Sequence, residues 1–175
     1  ISWRWPTAGR IVSSGGPIAQ KGLNISGREG QPVEAAADGV VVYSGSGLLG
    51  YGKLIIIKHN DTYLSAYAHN QIMQVKEGDR VSAGQRIGTM GRGSRGEPEL
   101  HFEIRKDGKP VDPLAFLPVP RRLANLLLTY VRLYGLPVPE GTLVRLKLTQ
   151  DDLANGLGVA KKSVSRTLKE WLDER

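Results

Sequence analysis

A predicted β-hairpin lies within Leu54-Ile55-Ile56-Ile57-Lys58-His59-Asn60-Asp61-Thr62-Tyr63-Leu64-Ser65-Ala66-Tyr67. The runs Leu54 to Lys58 and Tyr63 to Tyr67 are rich in β-branched, aromatic and other apolar residues, which favour strands. Asn60 and Asp61 lie between them, and both residue types favour tight turns because their side chains bond to the nearby backbone. Gly39-Val40-Val41-Val42-Tyr43 predicts a further strand before the hairpin.

The sequence changes character at Pro118-Val119-Pro120. Most of the 22 glycines lie before these residues, where short strand-like runs alternate with turns and no convincing long helix is present. After them, Arg121 to Tyr134 places apolar residues at helical spacing, and Gly135 and Pro137 predict its end. The expected fold is therefore a mainly β domain over residues 1–117, a proline-rich linker at 118–120 and a small α-helical segment over 121–175.

The sequence pattern of the C-terminal segment predicts a strand and two further helices. Thr142 to Leu148 alternates like a short strand. Thr149 is expected to cap a short helix from Asp151 to Asn155, where early acidic residues suit the helix dipole. A tight turn at Leu157-Gly158-Val159 then leads into a second helix from Lys161 to Asp173.

Composition restricts the classes of partner and site. The formal net charge is +7, which favours an anionic partner such as nucleic acid, a membrane surface or a cell-wall polymer. The absence of cysteine excludes disulfides and thiolate metal sites. No apolar run is long enough to span a bilayer, and the first residues are not a signal peptide.

Histidine is rare in this chain: His59, His69 and His101 are its only three. Two of them lie in the motifs Tyr67-Ala68-His69-Asn70 and Leu100-His101-Phe102-Glu103-Ile104-Arg105. Further motifs are Lys21-Gly22-Leu23-Asn24-Ile25, Gly30 to Val41, Gly50 to His59 and Gly78 to Gly91. On these motifs, residues 3–117 resemble the LytM, or lysostaphin-like, metallopeptidase domain, and NlpD-type proteins of bacterial cell division are most similar.

The resemblance implies a zinc site in which several positions are replaced. In active members a histidine two residues before a glycine, and an aspartate four residues after that histidine, bind zinc; Gln20 and Asn24 stand at these positions. The third ligand, the second histidine of a His-x-His pair, is retained as His101, but the first histidine of the pair is Glu99. The other catalytic histidine is retained as His69.

These replacements argue against catalysis. A catalytic zinc usually takes three protein ligands and a water whose pKa it lowers, and amides such as Gln20 and Asn24 are poor ligands. We expect no bound metal, no other cofactor and no enzymatic activity. One alternative stays open. Glu99 and His101 lie two residues apart on a strand and face the same side, so they could form a weak zinc site. Together with His69, this site would make the protein a residual zinc hydrolase.

The resemblance also implies a function for the remaining groove. Degenerate domains of this family activate cell-wall amidases by direct binding, so we expect an amidase or peptidoglycan as the partner and Tyr67, His69 and His101 as the groove residues that bind it. A structural role is the competing interpretation for His69 and His101, and a role in packing is the competing interpretation for Tyr67. His59 is expected to be surface structure beside its turn.

Residues 121–175 resemble the DNA-binding domain of Crp/Fnr-type transcription regulators, most strongly over Leu148 to Leu168. This implies that a recognition helix contacts DNA. The predicted contact residues are Lys161, Lys162, Ser163, Ser165, Arg166 and Lys169. Two departures put base preference in doubt: the sequence stops at Arg175, before the usual β wing, and no acidic residue stands at Lys162 or Ser163. A solvated helix face is the competing interpretation.

The two resemblances imply different compartments, because LytM domains of this kind act outside the cytoplasm and Crp-type domains act inside it. A natural fusion, an engineered fusion, or a helical tail that binds protein all stay open. The expected location is the bacterial periplasm or outer membrane, or the cytoplasm if the helix-turn-helix is functional.

Overall fold

The computed structural model describes residues 1–13 and 15–174. The chain forms two compact units, Ile1–Leu117 and Pro118–Arg175. The first is built from strands and the second mainly from helices, which confirms the predicted fold class.

The first unit consists of two antiparallel sheets. The larger sheet has the strand order β1-β2-β10-β6-β5-β4-β8, with β11 paired to β10, and the smaller has the order β3-β9-β7. Short 3-10 turns lie at Ala19–Lys21 and Pro113–Ala115. The strands are β1 (Arg10–Val12), β2 (Leu23–Ser26), β3 (Pro32–Glu34), β4 (Gly39–Gly45), β5 (Leu54–Lys58), β6 (Tyr63–Ala68), β7 (Asn70–Met73), β8 (Arg80–Val81), β9 (Arg86–Met90), β10 (Glu99–Lys106) and β11 (Lys109–Val111).

The predicted hairpin is present as β5 and β6. Their turn is closed by the side chain of Asn60, whose Oδ1 accepts hydrogen bonds from the backbone N–H groups of Thr62 at 2.9 Å and Tyr63 at 2.8 Å. This is the local bonding that favours asparagine in tight turns. The predicted strand over residues 39–43 is also found, as part of β4, which continues to Gly45.

Strand β10 lies between β2 and β6 and has two different faces. Leu100, Phe102 and Ile104 point into the main apolar core of the unit, together with Leu23 and Ile25 of β2. The residues between them point to the opposite face, because successive strand side chains alternate. The polar residues of β10 are thereby gathered on one surface of the sheet.

The second unit starts directly with a helix. Helix α1 spans Val119–Tyr134, so Val119 and Pro120, two residues of the predicted linker at 118–120, belong to its first turn. Proline is tolerated there because the first N–H groups of a helix have no intrahelical partner. Gly135 ends the helix as predicted, but the chain continues into the hairpin of β12 (Gly135–Val138) and β13 (Gly141–Val144). The predicted strand at 142–148 is therefore shorter than expected.

Two more helices, α2 (Gln150–Leu157) and α3 (Lys161–Asp173), complete this unit. Thr149 caps α2 as predicted, with its hydroxyl accepting from the N–H of Asp152 and the Asp152 carboxylate accepting from the N–H of Thr149. Leu123, Leu153 and Val164 form the buried centre of the three helices. None of the helices in the described residues is long and apolar enough to cross a membrane.

Candidate functional site

Strand β10 presents four polar side chains on one face of the larger sheet: Glu99, His101, Glu103 and Arg105. The first three are buried. Buried polar groups are stable only when they form hydrogen bonds, because water is not available to them. The site is therefore defined by the hydrogen-bond partners of these side chains.

His101 is held by a hydrogen-bond partner on each ring nitrogen. Its Nδ1 lies 2.7 Å from Oδ1 of Asn24, the residue of β2 that pairs with His101. Its Nε2 lies 3.1 Å from Oε1 of Glu103. The orientation of the Asn24 amide is fixed by its Nδ2, which donates to the carbonyl of Ala19 at 3.2 Å. The ring of His101 is thus held between an amide oxygen and a carboxylate oxygen, both of which are acceptors.

Glu103 connects His101 to a cationic cluster. Its Oε2 accepts from Nε of Arg105 at 2.7 Å, and its Oε1 accepts from the hydroxyl of Tyr51 at 2.9 Å. Nη2 of Arg105 donates to the same Tyr51 hydroxyl at 2.8 Å. Burial acts to raise the pKa of Glu103, but the hydrogen bonds from His101, Arg105 and Tyr51 outweigh it, so the pKa lies below its usual value. The carboxylate is therefore charged.

His69 lies beside this cluster at the end of β6. Its backbone has a φ of 65° and is held by hydrogen bonds from its N–H to the carbonyl of Tyr51 and from the N–H of Gly91 to its own carbonyl. Its ring centroid is 6.4 Å from that of His101. Burial, and secondarily the charge of His101, lowers the pKa of His69, which favours the neutral ring. The side chain is half-buried, so it reaches the surface of the site.

The other replaced positions differ in exposure. Gln20 lies exposed on the 3-10 turn Ala19–Lys21, while Glu99 is buried on the same face of β10 as His101. Glu99 packs closely against Gly93, where an added Cβ would come within 2.7 Å of Oε1 of Glu99. The structure therefore brings Asn24, His101 and His69 together, with Glu99 at the next position of the same strand face.

The predicted groove residues Tyr67 and His101 need a correction. Both side chains have no exposed surface, so neither can touch a partner in this structure. Tyr67 is on the opposite face of the sheet from His101, because its neighbour Ala68 is the residue that pairs with His101. His69 is the one of the three that reaches the surface, and its role in binding stays a prediction.

Tyr67 belongs to a hydrogen-bonded group in the core. Its hydroxyl accepts from the N–H of Ala36 at 2.8 Å and contacts the hydroxyl of Ser65 at 2.8 Å, and burial raises its pKa to about 12. Nε2 of His59 contacts the same Ser65 hydroxyl at 2.7 Å, and Nδ1 of His59 lies 2.7 Å from the carbonyl of Asp38. His59 is thus half-buried and connects Ser65 of β6 to Asp38, the residue before β4.

Sequence reasoning missed three residues of the site: Tyr51, Glu103 and Arg105. Glu103 and Arg105 lie two and four residues after His101, so strand alternation alone places them on its face. Tyr51 could not be found in this way, because its contact with Glu103 joins residues 52 positions apart.

The predicted DNA-contact residues lie on α3 of the second unit. Lys161, Lys162, Arg166 and Lys169 are exposed, while Ser163 and Ser165 are half-buried. Nζ of Lys161 lies 2.7 Å from a carboxylate oxygen of Asp151, the Arg166 guanidinium is 3.9 Å from Glu170, and the Ser165 hydroxyl bonds to Gln150. Exposed ion pairs are weak and exchange readily, so these cations remain accessible to another anion.

The sequence matches two known families. Residues 18–113 match peptidase family M23, and residues 121–175 match the Crp-like helix-turn-helix domain. The first match covers more than half of the chain. The chain belongs to peptidase family M23. Both parts of the resemblance seen in the sequence are thereby confirmed, and the unit Ile1–Leu117 is referred to below as the M23 unit.

Similar proteins include a bacterial lipoprotein, a murein hydrolase activator and an antimicrobial peptidase. The lipoprotein NlpD/LppB homolog of Pseudomonas aeruginosa is 54% identical over 119 residues, covering 66% of this chain and 40% of that protein. The murein hydrolase activator NlpD of Escherichia coli (strain K12) is 55% identical over 119 residues, covering 67% and 31%. The chain thus spans well under half of these curated relatives. The structure of lysostaphin from Staphylococcus simulans matches the fold with a TM-score of 0.55 at 30% identity, covering 62% of this chain and 48% of that one.

The residues of the M23 unit do not fit the zinc that its family implies. Asn24 and Gln20 offer neutral amides, and the Asn24 oxygen is already bonded to the His101 nitrogen that faces it. Three protein ligands of imidazole, carboxylate or thiolate type are usual for a catalytic zinc. Within residues 1–13 and 15–174, no group of three or more His, Cys, Asp or Glu side chains is arranged to hold a metal ion.

Proposed function

We propose that this chain is a non-catalytic regulator of peptidoglycan hydrolysis, which activates a cell-wall amidase by binding it at the groove of the M23 unit. The relatives at 54% and 55% identity carry the names lipoprotein NlpD/LppB homolog and murein hydrolase activator. An envelope location, in the periplasm or at the outer membrane, belongs to the same proposal.

The observation that carries the proposal is the hydrogen bond between Asn24 and His101. In a peptidase of this family a metal ion would lie between these two side chains. Here the amide oxygen of Asn24 is 2.7 Å from Nδ1 of His101, so the two groups bond directly to each other, and a neutral amide is a poor zinc ligand. Without zinc the site has no means of lowering the pKa of an attacking water. Binding, rather than hydrolysis, is the function that these residues support.

The same hydrogen bond gives the first prediction. The purified chain is expected to contain no stoichiometric zinc and to release no fragments from dye-labelled peptidoglycan by itself, but to increase the release by a purified cell-wall amidase. Zinc is measured by elemental analysis after dialysis. One equivalent of zinc, or hydrolysis by the chain alone, would contradict the pseudoenzyme.

Two variants sharpen this experiment. His69→Asn is expected to reduce amidase stimulation without a change in melting temperature, because asparagine tolerates the left-handed backbone at this position better than alanine does. Unchanged stimulation by His69→Asn would remove the groove from the proposal.

The combined change Gln20→His, Asn24→Asp and Glu99→His is expected to restore zinc binding. Glu103 already bonds to Nε2 of His101, and such a bond to the second ring nitrogen orients the histidine ligand in many metal sites.

The helical unit supports a second candidate function, DNA binding by α3. The observation in its favour is the match to the Crp-like helix-turn-helix domain together with the exposed cations Lys161, Lys162, Arg166 and Lys169. Lysine contacts to phosphate give affinity that falls steeply with salt, whereas base contacts give sequence preference. If this function is real, the cations predict weak, salt-sensitive binding with little preference for sequence.

A fluorescent DNA duplex, titrated at several stated salt concentrations, tests this second candidate. Lys162→Gln together with Lys169→Gln should reduce the slope of binding against salt by about two, one for each lost phosphate contact. The matched control is Lys109→Gln in the M23 unit, which should leave the slope unchanged. Tight binding to one palindromic site would place the DNA-binding function first, and the absence of binding at low salt would reject it.

A further inference from the structure

An unusual turn borders the candidate site between β4 and β5. The backbone N–H of Tyr51 donates to the carbonyl of Leu48 at 3.3 Å, and Gly50 has a φ of 86°. This hydrogen bond and a positive φ at the third position are the features of a type II turn, which favours glycine there. We call residues Leu48–Tyr51 the leucine turn.

The leucine turn is firmly held. Tyr51 is buried and packs with Ile18 and Leu54, and its carbonyl accepts from the N–H of His69 at 3.0 Å. On the outer side, an added Cβ at Gly50 would come within 2.7 Å of Pro17. The position of the turn beside His69 is therefore fixed by packing on both sides.

Leu49 has no packing reason to be apolar. It is 95% exposed, so folding buries almost none of its side chain, while its neighbour Leu48 is 45% exposed. The second position of a type II turn is often proline and requires no apolar side chain. A single exposed leucine would be ordinary, but here two adjacent ones lie on a fixed turn at the border of the site.

The charge beside the leucine turn is positive. Nζ of Lys21 is 3.5 Å from the Tyr51 hydroxyl and 5.5 Å from the centre of its ring. Glu103, the carboxylate that also contacts this hydroxyl, is fully buried and paired with Arg105. In the described part of the chain Lys21 forms no ion pair and is exposed. Lys21, a cation without a carboxylate partner among the described residues, thus contacts Tyr51, the last residue of the leucine turn.

We propose that the leucine turn and Lys21 form the docking surface for a protein segment that carries an apolar side chain next to a carboxylate. Burial of Leu49 against the apolar side chain supplies affinity, and the carboxylate pairs with Lys21, which fixes the register of the segment. The inference rests on the proposed function, in which this segment belongs to the activated amidase.

Binding of the fluorescently labelled chain to the purified peptidoglycan amidase of Pseudomonas aeruginosa tests the docking surface. Leu49→Ser is expected to raise the Kd about tenfold, the scale that follows from losing one buried leucine side chain. Leu49→Met should retain the affinity, because methionine has a similar volume and is also apolar. Lys21→Gln should weaken binding at low salt and make it less sensitive to salt. Leu133→Ser, at an exposed leucine of the helical unit, is the matched control.

The outcomes separate the docking surface from the proposed function. If the unchanged chain binds and stimulates the amidase but Leu49→Ser binds equally well, the docking surface is wrong and the regulatory function stands. If the unchanged chain neither binds nor stimulates the amidase, both fall. The inference would also be overturned if Leu133→Ser lost as much affinity as Leu49→Ser, because any exposed leucine would then contribute to binding nonspecifically. Equal melting temperatures of all variants ensure that folded proteins are compared.

Discussion

Replacing Glu103 with alanine is expected to lower the free energy of unfolding of the M23 unit by about 3–5 kcal/mol, the usual cost of removing one partner from a buried ion pair. The carboxylate of Glu103 accepts from His101, Tyr51 and Arg105, and two of these donors are buried. Without it they lose their common acceptor. Urea unfolding measures the change, followed by the fluorescence of Trp3 and Trp5 in a Trp171→Phe background, so that the signal comes from the M23 unit alone.

The effect should depend on pH. The pKa of folded Glu103 lies below that of the unfolded chain, so its stabilisation is fully present above the unfolded value of 4.5 and is lost as the pH falls through the folded value. The difference between the protein and Glu103→Gln should accordingly shrink in acid. Glu77→Ala, at an exposed turn, is the matched control and should change stability by no more than about 0.5 kcal/mol. A similarly small change in Glu103→Ala would show that the cluster does not stabilise the fold.

Much of the fold could be predicted from local pattern. The strands β4, β5 and β6 and the Asn60 turn follow from apolar runs separated by residues that bond to their own backbone. Helix α3 has the predicted bounds, Lys161–Asp173, because its apolar residues repeat at helical spacing. These features depend on neighbours in the sequence, so the sequence contains what is needed to find them.

The features that could not be predicted depend on distant residues. Gly135 and Pro137 end α1 as expected, yet they also begin β12, and this pairing is decided by β13 rather than by either residue. The clearest case is Tyr67, which the resemblance placed in the groove as part of the motif Tyr67-Ala68-His69-Asn70. The left-handed backbone of His69 changes the course of the chain there, and β6 is covered on both faces.

The sequence indicated which residues lie at the candidate site but not which hydrogen bonds they form. Asn24 and His101 stand where the family resemblance puts two zinc ligands, and the register of β2 and β10 makes them direct neighbours. The sequence does not show that Asn24 bonds directly to His101, or that hydrogen bonds connect His101 through Glu103 to Tyr51. The contacts of Asn24 and Tyr51 join side chains that are far apart in sequence. A motif identifies such residues without showing what they contact once the metal ligands have changed.

Replacing Tyr67 with alanine is expected to lower the free energy of unfolding of the M23 unit by about 3–5 kcal/mol, as for other large-to-small changes at fully buried aromatic residues. The side chain has no exposed surface, and its ring centroid lies 5.3 Å from that of Phe102. Alanine would leave a cavity in the core and remove the acceptor of the Ala36 N–H. The same tryptophan fluorescence measurement in urea, with Trp171→Phe, reports the change.

Tyr67→Phe separates the ring from the hydroxyl. It keeps the packing against Phe102 but leaves the buried Ala36 N–H without its acceptor, which should cost about 1–3 kcal/mol. Ile72→Ala, at an apolar residue of the same unit that is 53% exposed, is the control and should be nearly neutral. If Tyr67 instead served in partner binding, Tyr67→Ala would weaken amidase binding at unchanged stability. Because a residue with no exposed surface cannot touch a partner, we expect the opposite: stability falls in both variants, and Tyr67→Phe binds amidase as well as the unchanged chain does.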